Sequence, residues 1–395
     1  MKIAYIGRVS LNLLKGRFKF DRELPDVAWG FNMGSGLVME LLRRGHEVSV
    51  ITEDGGDGSV REYKSESGLS VFLVPTLRRS ISSCLSFYAF EVEKMRRCID
   101  SFAPDVVFAQ WTYQNARAAI LSGCPALVVA HDSPWRVFFM DLGLKTLLRA
   151  IYAHFLVMPR IRNLAVVSQH IADDCCKLHK YNGRLSIIPN GIDDHNVIKT
   201  VDKDIRSEAK TIVCVSQWGR LKNAKSLLMA FAILRKRHGD WRLIAFGSGL
   251  DDATAGKWMV DKGIPRDGVE LMGYNPIDNI RDVLRTEADV FCSPSLEESF
   301  GMVFVEAMSQ GVPCVGGKES GAVPWVIGDA GSVCDVKKPE ELADCIESLM
   351  LDANLRRRYS TNGIDRVRRE FTMSAVVDAY EREIFYIANQ SGMRK

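Results

Sequence analysis

Residues 295–313 read Ser-Leu-Glu-Glu-Ser-Phe-Gly-Met-Val-Phe-Val-Glu-Ala-Met-Ser-Gln-Gly-Val-Pro, and they contain the strongest local pattern in the chain. An apolar run ends near Pro294 and a polar loop follows it. A helix is predicted to begin at Gly301 and to end at Gly311, before the next apolar run. This order of strand, loop, helix and strand is the repeating unit of an α/β fold.

Two glutamates of this stretch are candidate ligand-binding residues. Glu298 just precedes the predicted helix and Glu306 lies on its second turn, so both carboxylates can face one ligand that lies across the helix N-terminus. The backbone N–H groups of Gly301, Met302 and Val303 would then face an anion such as a diphosphate. The alternative is that Glu298 only interacts with the helix dipole and that Glu306 is a surface residue.

Short apolar runs without polar alternation recur along the chain and predict buried parallel strands. In the first half they are Ile3–Ile6, Val48–Thr52, Leu69–Val74, Val106–Ala109, Ala126–Ala130 and Leu164–Ser168. In the second half they are Thr211–Ser216, Trp241–Phe246, Val269–Met272, Val290–Cys292, Val312–Val315 and Ser332–Cys334. The pattern predicts two doubly wound α/β domains at 1–200 and 201–373, followed by a helical segment at 374–395.

Composition excludes several classes of protein. The 395 residues include 52 Lys and Arg against 49 Asp and Glu, a net charge of +3 that is too small to favour nucleic acid as the main partner. No signal peptide or long apolar run is found, so a cytoplasmic location is expected. The ten cysteines are scattered, mostly in apolar runs, and no metal-binding motif occurs.

A second group of candidate residues follows the first strand of the second domain. Arg220 and Lys225 lie five residues apart at the carboxyl end of this strand, where open α/β sheets bind their ligands. Arg220 can donate two hydrogen bonds to phosphate oxygens and Lys225 can add a compact charge. The alternative for Lys225 is a place on a helix surface.

The first domain has a weaker glycine pattern, Gly34-Ser35-Gly36, which could form a strand-to-helix turn that binds phosphate. The 26 residues between Gly7 and Gly34 exclude a dehydrogenase fingerprint. The intervening stretch, residues 14–20, is basic and aromatic. It could contact an acceptor or be a solvated loop.

The combined motifs resemble the retaining glycosyltransferases of family four, which have the GT-B fold. The resemblance covers the second domain and rests there on Gly219-Arg220-Leu221 with Lys225, Phe246-Gly247-Ser248-Gly249, Glu298-Ser299-Phe300-Gly301 with Glu306-Ala307-Met308, and Gly311-Val312-Pro313. It also includes the linker Pro189-Asn190-Gly191-Ile192-Asp193. In the first domain it rests on Gly34-Ser35-Gly36, Gly45-His46-Glu47-Val48 and Ala130-His131-Asp132.

The resemblance implies two Rossmann-like domains that face a central cleft and hold a nucleotide sugar there. Arg220 and Lys225 would bind the diphosphate, Glu306 the ribose hydroxyls and Glu298 the sugar hydroxyls. His131 would donate an N–H hydrogen bond near the sugar and its phosphate. Further donor contacts are expected at Gly34, Ser35, Gly36, Gly219, Gly273, Tyr274, Gly301, Met302 and Val303.

Family members transfer the sugar with retention of anomeric configuration and need no metal and no cofactor beyond the donor. A UDP-sugar is the expected donor, with GDP-mannose second. The acceptor is expected to be a hydroxyl group on a carbohydrate, glycolipid or small molecule, as in polysaccharide or glycoconjugate assembly. Two alternatives are a nucleotide-sugar epimerase with the same fold and a non-catalytic nucleotide-sugar binding module.

Residues 137–162 combine apolar positions at helical spacing with basic flanks, and residues 1–200 carry 25 Lys and Arg against 20 Asp and Glu. This segment could lie on the surface of an anionic membrane or could pack into the domain core. The final helix, at 374–388, is expected to cross back to the first domain. We also expect the two domains to close on the nucleotide.

Overall fold

The computed structural model describes residues 1–25, 30–54, 58–76, 86–199 and 208–392. The chain divides into two compact units, Met1–Gly191 with Met373–Lys395, and Ile192–Thr372. The boundary that the sequence predicts near residue 200 lies outside the described residues. No helix within these ranges is long and apolar enough to cross a membrane.

The described part of the first unit contains one sheet of eight strands in the order β3-β4-β2-β1-β5-β6-β7-β8. The strands are β1 Lys2–Ile6, β2 Glu47–Asp54, β3 Arg61–Lys64, β4 Leu69–Pro75, β5 Val106–Gln110, β6 Ala126–Ala130, β7 Asn163–Val166 and β8 Arg184–Ile187. All pairs are parallel except β3 with β4. The sequence does not predict β3 and β8. Both are edge strands with polar or exposed residues, so neither contains the uninterrupted apolar run that marks a buried strand.

The described part of the second unit contains a fully parallel sheet in the order β11-β10-β9-β12-β13-β14. Its strands are β9 Thr211–Val215, β10 Arg242–Phe246, β11 Val269–Gly273, β12 Val290–Cys292, β13 Cys314–Gly317 and β14 Gly331–Cys334. All six are predicted, but β13 begins two residues late because the Val312 N–H donates to the Ala307 carbonyl and Pro313 has no N–H to donate. The prediction of two parallel-sheet α/β domains is confirmed.

Helices connect the strands in both units. Those of the first unit are α1 Leu11–Lys15, α2 Asn32–Arg43, α3 Ala89–Phe102, α4 Gln114–Leu121, α5 Pro134–Asp141, α6 Leu144–Tyr152 and α7 Gln169–His179. Those of the second are α8 Ala224–Arg237, α9 Lys257–Asp261, α10 Ile277–Thr286, α11 Met302–Ser309, α12 Val323–Ile327, α13 Pro339–Leu351 and α14 Ala353–Arg366. Short 3-10 or π turns lie at Ala153–Val157, Met158–Arg160, Asp194–Asn196, Asp252–Gly256 and Val367–Phe371.

The helix α8 illustrates why the sequence folds as it does locally. It consists mainly of strong helix formers, and its last turn carries three basic residues that complement the helix dipole. Its apolar face packs with β9, β10 and α13 in one buried core. The start of α8 is thereby held at the carboxyl end of β9.

The last helix, α15 Met373–Gly392, packs on the first unit. The rings of Tyr380 and Phe108, in β5, lie 4.8 Å apart. Arg44, at the end of α2, lies 2.5 Å from carboxylate oxygens of both Asp378 and Glu381. Apolar packing and a shared ion-pair network therefore attach α15 to the first unit.

Candidate active site

The loops that follow the strands of the second sheet are joined at its carboxyl edge. The Trp218 N–H, after β9, donates to the Ser248 carbonyl, after β10, over 2.8 Å. The Leu296 N–H, after β12, donates to the Leu221 carbonyl over 2.7 Å. Because ligands of open α/β sheets bind at this edge, these loops form the candidate site.

One glycine makes the contact between the first two loops possible. Gly247 has φ +130°, and a Cβ built on it would lie 1.5 Å from the carbonyl oxygen of Ser216. Any larger residue would separate the loops after β9 and β10. Gly247 is therefore needed for the close approach of these two loops.

Glu298 lies in the loop before α11, and its side chain is only 13% exposed. Nζ of Lys222 lies 2.5 Å from its Oε1. The backbone carbonyl of Glu298 accepts a hydrogen bond from the Ala322 N–H over 2.9 Å. Lys222 is not predicted from the sequence, since nothing in its local sequence separates it from a surface lysine and the ion pair exists only because two loops meet.

Glu306 lies on the second turn of α11, as predicted. The helix begins at Met302, with Gly301 as N-cap at φ +98°, so the N–H groups of Met302 and Val303 have no partner within the helix. Burial raises the pKa of Glu306 to about 7, and the positive charge of Arg281 on α10 offsets part of this effect. Within the described residues the Glu306 carboxylate makes no hydrogen bond, so this acceptor can take the hydroxyl groups of a ligand.

The two predicted cations flank the start of α8. Arg220 is exposed in the turn that leads to the helix, and Lys225 is exposed on its first turn. Nζ of Lys225 lies 5.3 Å from the ring centroid of Trp218 and 5.5 Å from that of Trp258. Cation–π contacts of this kind orient an ammonium group. Trp258 is not predicted from the sequence, because it lies in α9, after a different strand.

Three further predicted donor residues lie on the same edge of the sheet. Gly219 is exposed, and apart from its chain neighbours no atom of the described residues lies within 4 Å of the place where its Cβ would be. Gly273 ends β11 with φ +63°, and Tyr274 after it is 84% exposed. An exposed ring at this edge can stack on a flat ligand.

The small residues of the first unit lie inside α2, so the predicted strand-to-helix turn at this position is wrong. A Cβ on Gly34 would lie 2.4 Å from Oη of Tyr5, and one on Gly36 would lie 2.6 Å from Cε of Met373. The Ser35 hydroxyl is buried and hydrogen-bonds to the loop after β1. Small side chains therefore let α2 pack closely on β1 and α15, while the predicted donor contacts of these three residues stay a prediction.

His131 follows β6, as predicted. Its Nε2 lies 2.7 Å from Oε1 of Gln110, and its ring lies 4.7 Å from that of Trp111. Burial lowers the pKa of His131 to about 4, so the ring is neutral at pH 7. The donor in this hydrogen bond depends on the tautomer of the ring and on the orientation of the Gln110 amide. The predicted N–H donation to a sugar stays a prediction.

Residues 137–162 include most of α5, all of α6 and the turns after them, and they expose several large apolar side chains. The exposed fractions are 57% for Phe139, 72% for Leu142, 58% for Leu144 and 62% for Phe155. The rings of Phe139 and Phe155 are connected through Trp135 and His154. We call these four side chains the α5–α6 patch. It is exposed, whereas other apolar side chains of the segment, such as Val157, are buried.

Metal-binding side chains are not clustered: across the described ranges, no three His, Cys, Asp or Glu residues lie close enough to hold one ion. The groups suited to an anionic ligand are the cations at Arg220 and Lys225 and the N-terminal amides of α11.

Comparison with known proteins gives two consecutive matches. The family described as Glycosyltransferase Family 4 matches residues 36–196, and the one described as Glycosyl transferases group 1 matches residues 198–366. N-acetyl-alpha-D-glucosaminyl L-malate synthase of Bacillus anthracis is 24% identical over 92% of this chain and 94% of its own length. D-inositol 3-phosphate glycosyltransferase of Corynebacterium kroppenstedtii is 32% identical over 41% of this chain and 37% of its own length.

A solved structure shares the fold over almost the whole chain. HepE of Anabaena, in complex with UDP and glucose, covers 97% of this chain and 99% of its own with a TM-score of 0.66, at 18% identity. The two family matches together include most of the chain, and they divide between the two parallel-sheet units. The protein belongs to the family 4 glycosyltransferases, which have the GT-B fold.

Proposed function

We propose that the protein transfers a sugar from a nucleoside-diphosphate sugar to a hydroxyl acceptor with retention of anomeric configuration. A UDP-sugar is the favoured donor, with GDP-mannose second, and the transferred group is a hexose or an N-acetylhexosamine. The names of the Bacillus and Corynebacterium relatives and the UDP bound in Anabaena HepE support this choice. Assembly of a polysaccharide, glycolipid or other glycoconjugate is the proposed context.

The observation that carries the proposal is the set of groups along the carboxyl edge of the second sheet. This set consists of two cations, the N-terminus of α11 and two carboxylates in different environments. These groups lie on loops that hydrogen-bond to one another, or on helices that begin at those loops. A nucleoside-diphosphate sugar has a dianionic centre with hydroxyl groups on both sides. Its chemistry is complementary to this set.

Each group then has a distinct role. Arg220, Lys225 and the α11 amides bind the diphosphate and stabilise the charge that develops as the glycosidic bond breaks. Glu306 accepts hydrogen bonds from the ribose hydroxyls, and Glu298 accepts them from the sugar. The leaving diphosphate oxygen takes the acceptor proton as the acceptor oxygen attacks the same face of the sugar. The chain then needs no nucleophilic carboxylate, no metal and no cofactor.

Two roles are proposed for the first unit. His131 contacts the sugar and its phosphate. The α5–α6 patch, with Lys145 and Arg160 in the same segment, contacts an anionic membrane that would hold a glycolipid acceptor. The exposure of the four apolar side chains supports this membrane contact.

The test begins with binding and proceeds to turnover. Thermal shifts with UDP-, GDP-, ADP- and TDP-sugars identify the donor, because a ligand of the native state raises the apparent stability. Release of free nucleotide that depends on an added acceptor, and a product with the donor's anomeric configuration by NMR, are the expected results. Conversion of the donor without an acceptor would indicate an epimerase, and binding without turnover would indicate a binding module.

A further inference from the structure

We infer that Lys222 is a positioning residue for the donor sugar, acting through Glu298, and this inference rests on the proposed function. The ammonium of Lys222 lies 2.5 Å from Oε1 of Glu298. Neither the family resemblance nor the local sequence assigns a role to this lysine.

The ion pair is built into the backbone of the site. The hydrogen bond from the Leu296 N–H to the Leu221 carbonyl, 2.7 Å, joins the two loops one residue before Lys222 and two before Glu298. On its other side, Glu298 is held through its carbonyl by the Ala322 N–H. The two side chains therefore face each other from anchored segments.

The pair leaves one carboxylate oxygen for a ligand. Lys222 contacts Oε1, and within the described residues Oε2 of Glu298 forms no hydrogen bond. With one oxygen held, the carboxylate cannot rotate freely, and Oε2 is presented in one direction. A sugar hydroxyl that donates to Oε2 then meets a preoriented acceptor, which fixes the sugar in its reactive pose.

The position of the pair predicts which kinetic constant it controls. The nucleoside diphosphate is assigned to Arg220, Lys225 and Glu306, so loss of the Lys222 ammonium should leave UDP binding unchanged. Lys222→Met should instead lower kcat about 10- to 100-fold, the range expected when a contacting group is misplaced. Lys222→Arg keeps a donor and a charge at this place, so it should recover part of the activity.

A double-mutant cycle isolates the effect, because a residue that acts only through another loses its influence when the other is removed. In a Glu298→Gln background, Lys222→Met should lower kcat by less than threefold. Lys338→Met is the matched control. Nζ of Lys338 also lies 2.5 Å from a glutamate, Glu341, but this exposed pair is at the N-terminus of α13, and Lys338→Met should leave kcat unchanged.

The measurements are kcat and KM for the donor that the thermal-shift panel of UDP-, GDP-, ADP- and TDP-sugars identifies, and the Kd of UDP by calorimetry. Equal activity of Lys222→Met and the wild type would overturn the inference. The inference would also be overturned if the losses of kcat in Lys222→Met and Glu298→Gln multiply in the double variant. Loss of UDP binding in Lys222→Met would overturn it as well. If the wild type binds no nucleotide and releases none from any donor in the panel, the proposed function fails and this inference fails with it.

Discussion

The Glu306 carboxylate is expected to lower the stability of the folded protein at high pH and to strengthen donor binding. Glu306→Gln should therefore make the protein more stable at high pH and its donor binding weaker. Burial raises the pKa of its carboxyl from 4.5 to about 7 in the folded protein. The folded state therefore holds a proton that the unfolded chain releases between pH 4.5 and 7. The wild type has the full contribution of this group to stability below pH 4.5 and loses it as the pH rises through 7.

The size of the effect follows from the pKa. Each tenfold change in proton affinity corresponds to about 1.4 kcal/mol, so the loss between pH 4.5 and pH 8 is at most about 3 kcal/mol. Glutamine has nearly the same shape and carries no charge, but some of the polar atoms of its buried amide lack hydrogen-bond partners. Glu306→Gln should therefore raise the free energy of unfolding by about 1–3 kcal/mol at pH 8 and by about zero at pH 4.5.

Urea unfolding at the two pH values measures this difference, with the variant Glu340→Gln as control. Glu340 is exposed in the first turn of α13, and its loss should be neutral or slightly destabilising at both pH values. The same Glu306→Gln protein should bind UDP more weakly, because the ribose hydroxyls lose a charged acceptor. A variant that is no more stable than the wild type at pH 8, or equally stabilised at pH 4.5, would contradict this role of the buried Glu306 carboxyl.

Other substitutions test the donor site, the attachment of α15 to the first unit, and the α5–α6 patch. Arg220→Ala and Lys225→Ala should each weaken UDP binding by about 1.5–3 kcal/mol, the cost of one charge-assisted contact, as measured by calorimetry. Glu298→Gln should lower kcat more than it raises the donor KM, and a change in KM alone would contradict its assignment to the sugar. Arg44→Ala removes the ion pairs from Arg44 to Asp378 and Glu381 of α15 and should lower the unfolding free energy by about 2 kcal/mol; unchanged urea unfolding would show that these two ion pairs do not stabilise the attachment of α15. The protein should pellet with anionic liposomes at low salt and be released as salt rises, whereas a variant with serine at the four positions of the α5–α6 patch should stay in solution. Equal pelleting of the two proteins would remove the patch from the proposal.

Local patterns in the sequence predict much of the second unit. The strand-loop-helix order around residues 295–313 places Glu298 before α11 and Glu306 on its second turn, and the structure has both there. Buried strands are predicted because an uninterrupted apolar run is itself the signal for a parallel strand. Such features depend on residues that are close in the chain.

Features that depend on distant residues were not predicted. The edge strands β3 and β8 form by pairing with β4 and β7, while their own sequences remain mixed. The sequence predicts a phosphate-binding turn at the glycines of α2, but their neighbours in the fold include Met373, more than 300 residues away in the chain. Sequence spacing contains no information on such a contact.

Local sequence patterns predict the two α/β units, the order of their buried strands along the chain, and the two glutamates and two cations at the carboxyl edge of the second sheet. Long-range contacts in the folded chain establish that Lys222 holds Glu298, that burial raises the pKa of Glu306 to about 7, and that the α5–α6 patch is exposed. The physical reason is that helix and strand formation follow from local periodicity and propensity, whereas the charge state and orientation of a side chain follow from what packs around it. Those neighbours come from segments far apart in the chain, as for Lys222 and Glu298, 76 residues apart.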